Sequence, residues 1–150
     1  MNVKYKKISP HAVKPQYATE GDAGLDLVAT KIVKNGLFSV WYNTDIAIEI
    51  PKDHFGMLPP RSSITNDGTL TMANSVGIID AGFRGGIQVR FNRTLKGFFT
   101  RKKYEVGDKI AQLIIVPFKT VNLENSPYLS NSQRGTGGYG STTKKDTRIY

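Results

Sequence analysis

The side chains best suited to chemistry in this sequence lie in glycine-rich stretches, and the clearest of these stretches is residues 76–87. It reads Val-Gly-Ile-Ile-Asp-Ala-Gly-Phe-Arg-Gly-Gly-Ile, so an apolar run leads into Asp80 before glycines turn the chain. We expect a hairpin with the Asp80 carboxylate near its tip, where partial loss of water would let it accept a proton from a water molecule. The competing interpretation is an aspartate that only caps a turn.

The tail, Arg134-Gly-Thr-Gly-Gly-Tyr-Gly-Ser-Thr142, is the second stretch with chemical potential. It contains G-x-G-x-x-G, but a dinucleotide site needs a following helix and an acidic residue about 20 positions on. It also has Walker-A spacing, with Ser141 where the lysine must be. The remaining interpretation is a phosphate-binding site made of backbone N–H groups. In it, the Arg134 guanidinium would bind phosphate oxygens in a bidentate way, and the Tyr139 ring would stack on a base. The competing interpretation is a flexible polar terminus.

Three further blocks place polar side chains among apolar or turn residues. Asp26 lies between two leucines, and Arg61 and Ser62 follow two prolines in a predicted turn. Gln112 interrupts the apolar run 110–118, and a buried amide needs hydrogen-bonding partners. Each of these blocks alone is compatible with a purely structural role.

Composition narrows the possible functions. The chain has 150 residues, a net charge of +9, no Cys and two His, which excludes thiol nucleophiles and Cys-based zinc sites. No leader pattern and no apolar run of about 18 residues is present, so we expect a cytoplasmic protein with no membrane contact. The basic residues are scattered, so nucleic acid is not expected as a partner, although the basic segment 94–103 is a candidate contact for an anionic one.

Strand signals dominate the chain. Large apolar side chains recur with period two at residues 46–50 and 87–91, and turn signals such as Asn35-Gly36 separate the apolar runs. This pattern predicts an all-β, jelly-roll-like barrel without a long amphipathic helix. We expect residues 1–121 to form this core and the polar residues 122–150 to form an extended arm and glycine-rich tail of the same domain.

Together, the five blocks resemble the five motifs of the trimeric dUTPase family in order and spacing. Asp26 falls on the first motif, residues 61–63 on the second and residues 77–85 on the third. Residues 107–113 fall on the fourth and residues 134–142 on the fifth, so the resemblance covers nearly the whole chain. It implies a β jelly roll that assembles as a homotrimer with three sites at subunit interfaces, the tail being exchanged between subunits.

The resemblance further implies Mg²⁺-assisted hydrolysis of dUTP to dUMP and pyrophosphate, which limits uracil in DNA and supplies dUMP for dTTP synthesis. Asp80 would deprotonate the water that attacks the α-phosphorus, and Asp26 would hold the water shell of a metal ligated mainly by the triphosphate. The implied substrate-binding residues are Arg61, Ser62, Ser63, Asn74, Gly77, Ile79, Asp80, Phe83, Gln112, Arg134, Gly138, Tyr139, Gly140, Ser141 and Thr142.

Within that set, Ser62 and Gln112 would bind phosphates, and the backbone of residues 74–77 would read the uracil edge. Arg61 and Asp108 would form a structural ion pair. Phe83 and Tyr139 replace a Tyr and a Phe that the family usually has; Phe83 would still pack against the deoxyribose. Two alternatives stay open: a dCTP deaminase of similar fold, and a regulatory or binding protein on a dUTPase scaffold.

Overall fold

The computed structural model describes residues 1–138, apart from the side chain of Asp67. The chain divides into two units, Met1–Thr120 and Val121–Tyr150. The part of the second unit that the structure describes, residues 121–138, contains turns and extended chain but no helix or strand.

The first unit is built almost entirely from short strands. The ten strands are β1 (Lys4–Lys7), β2 (Leu25–Val28), β3 (Lys31–Asn35), β4 (Ser39–Asn43), β5 (Ile46–Glu49), β6 (His54–Leu58), β7 (Leu70–Met72), β8 (Gly77–Ile79), β9 (Gln88–Arg93) and β10 (Lys109–Pro117). Two short helices, α1 (Ile64–Asp67) and α2 (Leu95–Thr100), interrupt them. Within the described residues, neither helix is long or apolar enough to cross a membrane.

All the strand pairs are antiparallel, and they form three sheets. The orders are β1-β5, β2-β10-β6-β8 and β3-β4-β9-β7. The two four-stranded sheets contribute to a single core, with Leu27 and Ile110 from one sheet and Tyr42 and Phe91 from the other. The all-β jelly-roll type of fold that the sequence predicts is therefore confirmed.

Strand β10 changes partner along its length. Its first half pairs with β2, with Gln112 opposite Asp26, and its second half pairs with β6, with Ile114 opposite Met57. Because side chains alternate between the two faces of a strand, this register decides which side chains of β10 face those of β2. The strand pairing therefore brings together the predicted first and fourth motifs.

Local structure differs from the sequence prediction in two places. Strand β8 pairs with β6, whereas β9 pairs with β4 and β7, so residues 80–87 cross between two sheets instead of closing a hairpin. Residues 62–70 lack helical periodicity, and the sequence predicts a lengthened hairpin loop at residues 94–103, yet each of these segments contains one short helix. Helix α2 has a local signal, since the Thr94 hydroxyl caps it by accepting a hydrogen bond from the Gly97 N–H at 3.1 Å.

Candidate active site

A cavity of about 520 Å³ lies beside strand β8 and the crossing that follows it. Asn74, residues 77–80 and Phe83 line one part, residues 85–88 line another, and Leu58 of β6 completes it. This volume is in the usual range for small-molecule sites and suits a nucleoside. Gly77 lets the wall pack closely, because a β-carbon there would lie 3.1 Å from the Leu58 Cβ and 3.4 Å from the Asn74 amide nitrogen.

Asp80 lies at the end of β8, on the lining of this cavity. Its carbonyl accepts a hydrogen bond from the Phe83 N–H at 3.0 Å, which closes a tight turn. Ile79 is buried, whereas Ile78 and Asp80 are exposed, as expected from strand alternation. The structure therefore turns the backbone at Asp80 and leaves its carboxylate accessible to a ligand in the cavity.

The Phe83 ring covers Gly85. A β-carbon at Gly85 would lie 2.7 Å from the ring atom Cζ, so any larger residue would displace the ring. The ring remains 45% exposed and forms part of the cavity wall. Phe83 thus offers an apolar surface beside Asp80, which suits packing against a sugar ring.

Asp26 is the one carboxylate among the described residues that is buried, with an exposed fraction of 4%. Its oxygen Oδ1 lies 3.2 Å from the Arg61 Nε and accepts a hydrogen bond from the Gln112 Nε2 at 3.4 Å. The Lys109 ammonium lies 2.8 Å from Oδ2. A buried carboxylate requires such compensation, so these four side chains form one charge cluster, called here the Asp26 cluster.

The Asp26 cluster corrects one sequence-based expectation. Arg61 pairs with Asp26 rather than with Asp108, whose carboxylate instead accepts a hydrogen bond from the Glu105 N–H at 2.8 Å. Lys109 is a member of the cluster that the sequence does not predict. Lys109 lies next to the turn at Gly107. The residues around it do not predict that its ammonium contacts Asp26 on β2, because the pairing of β2 with β10 joins segments that are distant in sequence.

Gly24 makes room for the amide of the Asp26 cluster. A β-carbon at Gly24 would lie 3.0 Å from the Gln112 Cβ and 3.3 Å from its Oε1. The loop before Gly24 is held by Asp22, whose carboxylate accepts hydrogen bonds from the N–H and the hydroxyl of Thr19. These bonds, chiefly the one from the Thr19 backbone, lower the pKa of Asp22. Close packing against Gln112 thus explains why glycine stands at position 24.

Arg61, Ser62 and Ser63 form the turn that begins helix α1. The carbonyl of Ser62 accepts hydrogen bonds from the N–H and the hydroxyl of Thr65 at 3.1 and 2.7 Å. Both serine side chains are exposed, whereas Arg61 is held by Asp26. The turn therefore leaves two hydroxyl groups next to an anchored guanidinium, a donor set that suits phosphate oxygens.

The predicted site residues fall into separate groups in one chain. Asn74, Gly77, Ile79, Asp80 and Phe83 line the cavity, whereas the four members of the Asp26 cluster and the two serines are absent from its described lining. In the second unit, the Arg134 Nε donates to the Gly137 carbonyl at 2.9 Å, and Gly135 adopts a positive φ of 53°. Gly138 follows directly, and Tyr139, Gly140, Ser141 and Thr142 lie outside the described residues.

The Asp26 cluster fits a metal that is held through water. Oδ2 is buried, and its polar neighbour among the described residues is the Lys109 ammonium at 2.8 Å, so this carboxylate oxygen can still accept a further hydrogen bond from a water. Among the described residues no group of three Asp, Glu or His side chains could form a protein cage for a metal ion. The available donor is therefore a single carboxylate oxygen, which suits contact with a metal-bound water.

Comparison with known sequences decides the family. The sequence model of the dUTPase family matches residues 11–143, which include all four predicted motifs of the first unit. The chain belongs to the dUTPase family. Two similar proteins are the deoxyuridine 5'-triphosphate nucleotidohydrolases of Clostridium acetobutylicum and Clostridium tetani. The first is 42% identical over 147 residues, which cover 97% of this chain and 99% of that protein; the second is 41% identical over 145 residues, covering 95% and 97%.

Solved dUTPase structures agree with the fold of this dUTPase. The Staphylococcus bacteriophage 80alpha dUTPase with dUpNHpp superposes with a TM-score of 0.80 at 25% identity, covering 95% of this chain and 99% of that one. A dUTPase variant from phage phi11 of S. aureus, described with a structural Mg(II) ion, has a TM-score of 0.73 at 23% identity and covers 87% of this chain and all of that one. At this identity the phi11 protein supports the fold alone.

Replacing Asp26 by Asn tests the Asp26 cluster of this dUTPase. The substitution keeps the shape but leaves two cations facing a neutral amide, so we expect Asp26→Asn to lower the free energy of unfolding by roughly 1–3 kcal/mol. Urea unfolding at fixed protein concentration measures this. Glu20→Gln, an exposed loss of the same charge, is the control and should change it by less than about 0.5 kcal/mol. Equal stability of Asp26→Asn and the control would show that the charge of Asp26 does not hold these elements together.

Proposed function

We propose that this dUTPase hydrolyses dUTP to dUMP and pyrophosphate, with Asp80 as the general base. The observation that carries the proposal is the accessible carboxylate of Asp80 on the wall of a nucleoside-sized cavity, beside an apolar ring. Family membership and relatives named deoxyuridine 5'-triphosphate nucleotidohydrolase support the same reaction. Limiting uracil in DNA and supplying dUMP for dTTP synthesis are the corresponding physiological roles.

The base and the sugar would be recognised inside the cavity. The backbone of residues 74–77 and the Asn74 side chain would pair with the uracil edge, where cytosine reverses one donor and one acceptor. Mispaired buried polar groups are costly, so such a wall can discriminate strongly between these bases. Phe83 would pack against the deoxyribose and disfavour a 2'-hydroxyl.

In the proposed chemical step, the oxygen of a water molecule attacks the α-phosphorus while Asp80 accepts a proton from that water. The bond between the α-phosphorus and the oxygen bridging to the β-phosphorus breaks, and that oxygen leaves on pyrophosphate. Such phosphoryl transfer depends on positioning and charge neutralisation rather than on a covalent enzyme intermediate. Asp80, near the ligand and free of a competing ion pair among the described residues, is suited to this role.

The triphosphate would be held by groups outside the cavity. Ser62 and Ser63 would donate hydroxyl hydrogen bonds, and Gln112 and Arg61 would contribute from the Asp26 cluster. Bound Mg²⁺ would neutralise charge on the phosphate oxygens, and the Oδ2 atom of Asp26 would hold a water of its shell. Arg134, Gly138, Gly140, Ser141 and Thr142 would close over the γ-phosphate, with Tyr139 stacked on uracil.

A homotrimer would complete each site. Because the cavity and the Asp26 cluster do not share lining residues in one chain, we propose that they meet across subunit interfaces. Residues 122–150 would act as an arm exchanged between subunits, and its side chains Leu123, Tyr128 and Leu129 are at least 84% exposed, as expected for residues that pack on a neighbour. We also propose that the protein works in the cytoplasm.

A substrate panel tests the proposed reaction. The protein is incubated with Mg²⁺ and separately with dUTP, dCTP, dTTP and UTP, and pyrophosphate and ammonia are measured. We expect pyrophosphate from dUTP, at least about a hundredfold less from the other three, and no ammonia. Ammonia from dCTP would identify a deaminase, and the absence of any product would favour a binding protein.

Substituting Asp80 tests its role as base. Asp80→Asn keeps the shape of the side chain but removes the proton acceptor, so we expect kcat to fall by roughly 10²–10⁴-fold. Calorimetric titration with dUpNHpp should show binding of that analogue within about threefold of the unmodified protein. Asp53→Asn is the matched control, since it removes the same charge at an exposed turn outside the cavity. Turnover that is unchanged in Asp80→Asn would remove Asp80 as the base.

A further inference from the structure

A strongly basic surface lies on the sheet β3-β4-β9-β7, where residues 31–43 and 92–104 are neighbours. The first segment contains two Lys and the second contains five Lys or Arg, whereas neither contains Asp or Glu. These basic residues are Lys31, Lys34, Arg93, Lys96, Arg101, Lys102 and Lys103. We call this the α2 surface, because helix α2 and the β3–β4 turn form its most exposed part.

Direct bonds hold the turn and the helix together. Arg93 donates to the Asn35 Oδ1 at 2.7 Å and to the Lys102 carbonyl at 2.8 Å, and its N–H donates to the Phe38 carbonyl at 2.8 Å. The Arg101 guanidinium reaches the Leu37 carbonyl at 3.4 Å. One arginine thus spans two segments that are nearly 60 residues apart in sequence.

The helix is also fixed against the sheet beneath it. Gly97 packs on the backbone of Thr69, so closely that a β-carbon at position 97 would overlap the Thr69 carbonyl. After the helix, the Tyr104 ring packs against Phe91. The Tyr104 carbonyl accepts a hydrogen bond from the hydroxyl of buried Tyr42 at 2.9 Å. Burial raises the pKa of that Tyr42 hydroxyl. The α2 surface is therefore preformed in the single chain.

Aromatic rings stand among these cations. Phe38 stacks on Phe98 with a centroid distance of 5.8 Å and an interplanar angle of 18°, and Phe99 packs edge-on against Phe98 at 5.2 Å. Yet Phe38 is 68% exposed and Phe99 is 73% exposed. The Arg101 guanidinium lies 5.5 Å from the centre of the Phe98 ring. The stack thus ends in two rings, Phe38 and Phe99, that are largely exposed.

We propose that the α2 surface binds single-stranded nucleic acid. Unpaired bases can stack on the exposed rings of Phe38 and Phe99, whereas the bases of a duplex are already stacked on each other. Lys34, Lys96 and Arg101 supply charge complementary to the phosphate backbone, and the adjacent Glu105 is paired with Lys103. The scattered basic residues of the sequence predict no nucleic-acid partner; the fold brings the segments that carry Lys34, Lys96 and Arg101 together.

This binding is separate from dUTP hydrolysis. Neither segment contributes a residue to the described lining of the cavity with Asp80, and none of the residues of the Asp26 cluster belongs to the α2 surface. The proposal therefore does not depend on the proposed enzymatic function. It also predicts that the dUTP site can be filled while nucleic acid is bound.

Fluorescence anisotropy with a labelled oligothymidylate of about 20 nucleotides, longer than a typical single-strand site, tests the proposal. The full-length protein is saturated with dUpNHpp so that its active site is blocked. We expect binding at low salt, with affinity falling steeply as salt rises. Phe38→Leu/Phe99→Leu should bind at least about tenfold more weakly, because leucine keeps an apolar surface but cannot stack on bases.

Charge variants provide the matched comparison. Lys96→Gln should reduce the slope of log affinity against log salt by about 0.7, the value for one phosphate contact with a single strand. Lys52→Gln removes an exposed lysine at a turn outside the α2 surface and should leave the slope unchanged. All variants should keep the dUTP hydrolysis of the unmodified protein, which shows that they are folded.

Several results would overturn the proposal. These are no oligothymidylate binding at low salt, equal binding by Phe38→Leu/Phe99→Leu, or equal slopes for Lys96→Gln and Lys52→Gln. Vesicles of phosphatidylserine and phosphatidylcholine serve as a parallel probe. Binding to these vesicles without binding to the oligonucleotide would identify the α2 surface as a membrane contact instead.

Discussion

The register of strand β10 is the constraint on which the arrangement of the site depends. Its first half must pair with β2 for Gln112 to lie opposite Asp26. Its second half must pair with β6, which in turn pairs with β8 beside the cavity. A slip by one residue would turn Gln112 to the other face and bury a different set of side chains. The buried apolar residues of β10, including Ile110 and Leu113, resist such a slip.

A chain of this size places its functional groups at the margins of one core. The cavity lies at the end of the β6–β8 pair, and the Asp26 cluster lies where β2, β10 and the turn before α1 meet. In the proposed reaction, a triphosphate with its nucleoside would need both, along with the donors of the tail. The proposed sharing of sites between subunits would meet this need without a larger domain, because a symmetric assembly repeats each junction.

Much of this could be read from the sequence, for physical reasons that are local. Period-two alternation predicts the strands at residues 46–50 and 87–91, and the apolar run before Asp80 predicts its place at a strand end. Partner choice between strands is not local. For this reason the sequence predicts a hairpin where residues 80–87 cross between two sheets, and the expected pairing of Arg61 with Asp108 is replaced by its pairing with Asp26. Likewise, the residues around Phe38 do not predict that its ring stacks on Phe98, because the two residues are distant in sequence.

Subunit mixing tests most directly the claim that the site is shared. Chains carrying Asp80→Asn and chains lacking residues 133–150 are each expected to be inactive, and they are refolded together in equal amounts. If Asp80 and the tail of one site come from different chains, random mixing should restore about a quarter of the activity. Mixed trimers, verified by native mass spectrometry, that stay as inactive as their parents would contradict the account, because every chain carries one defect.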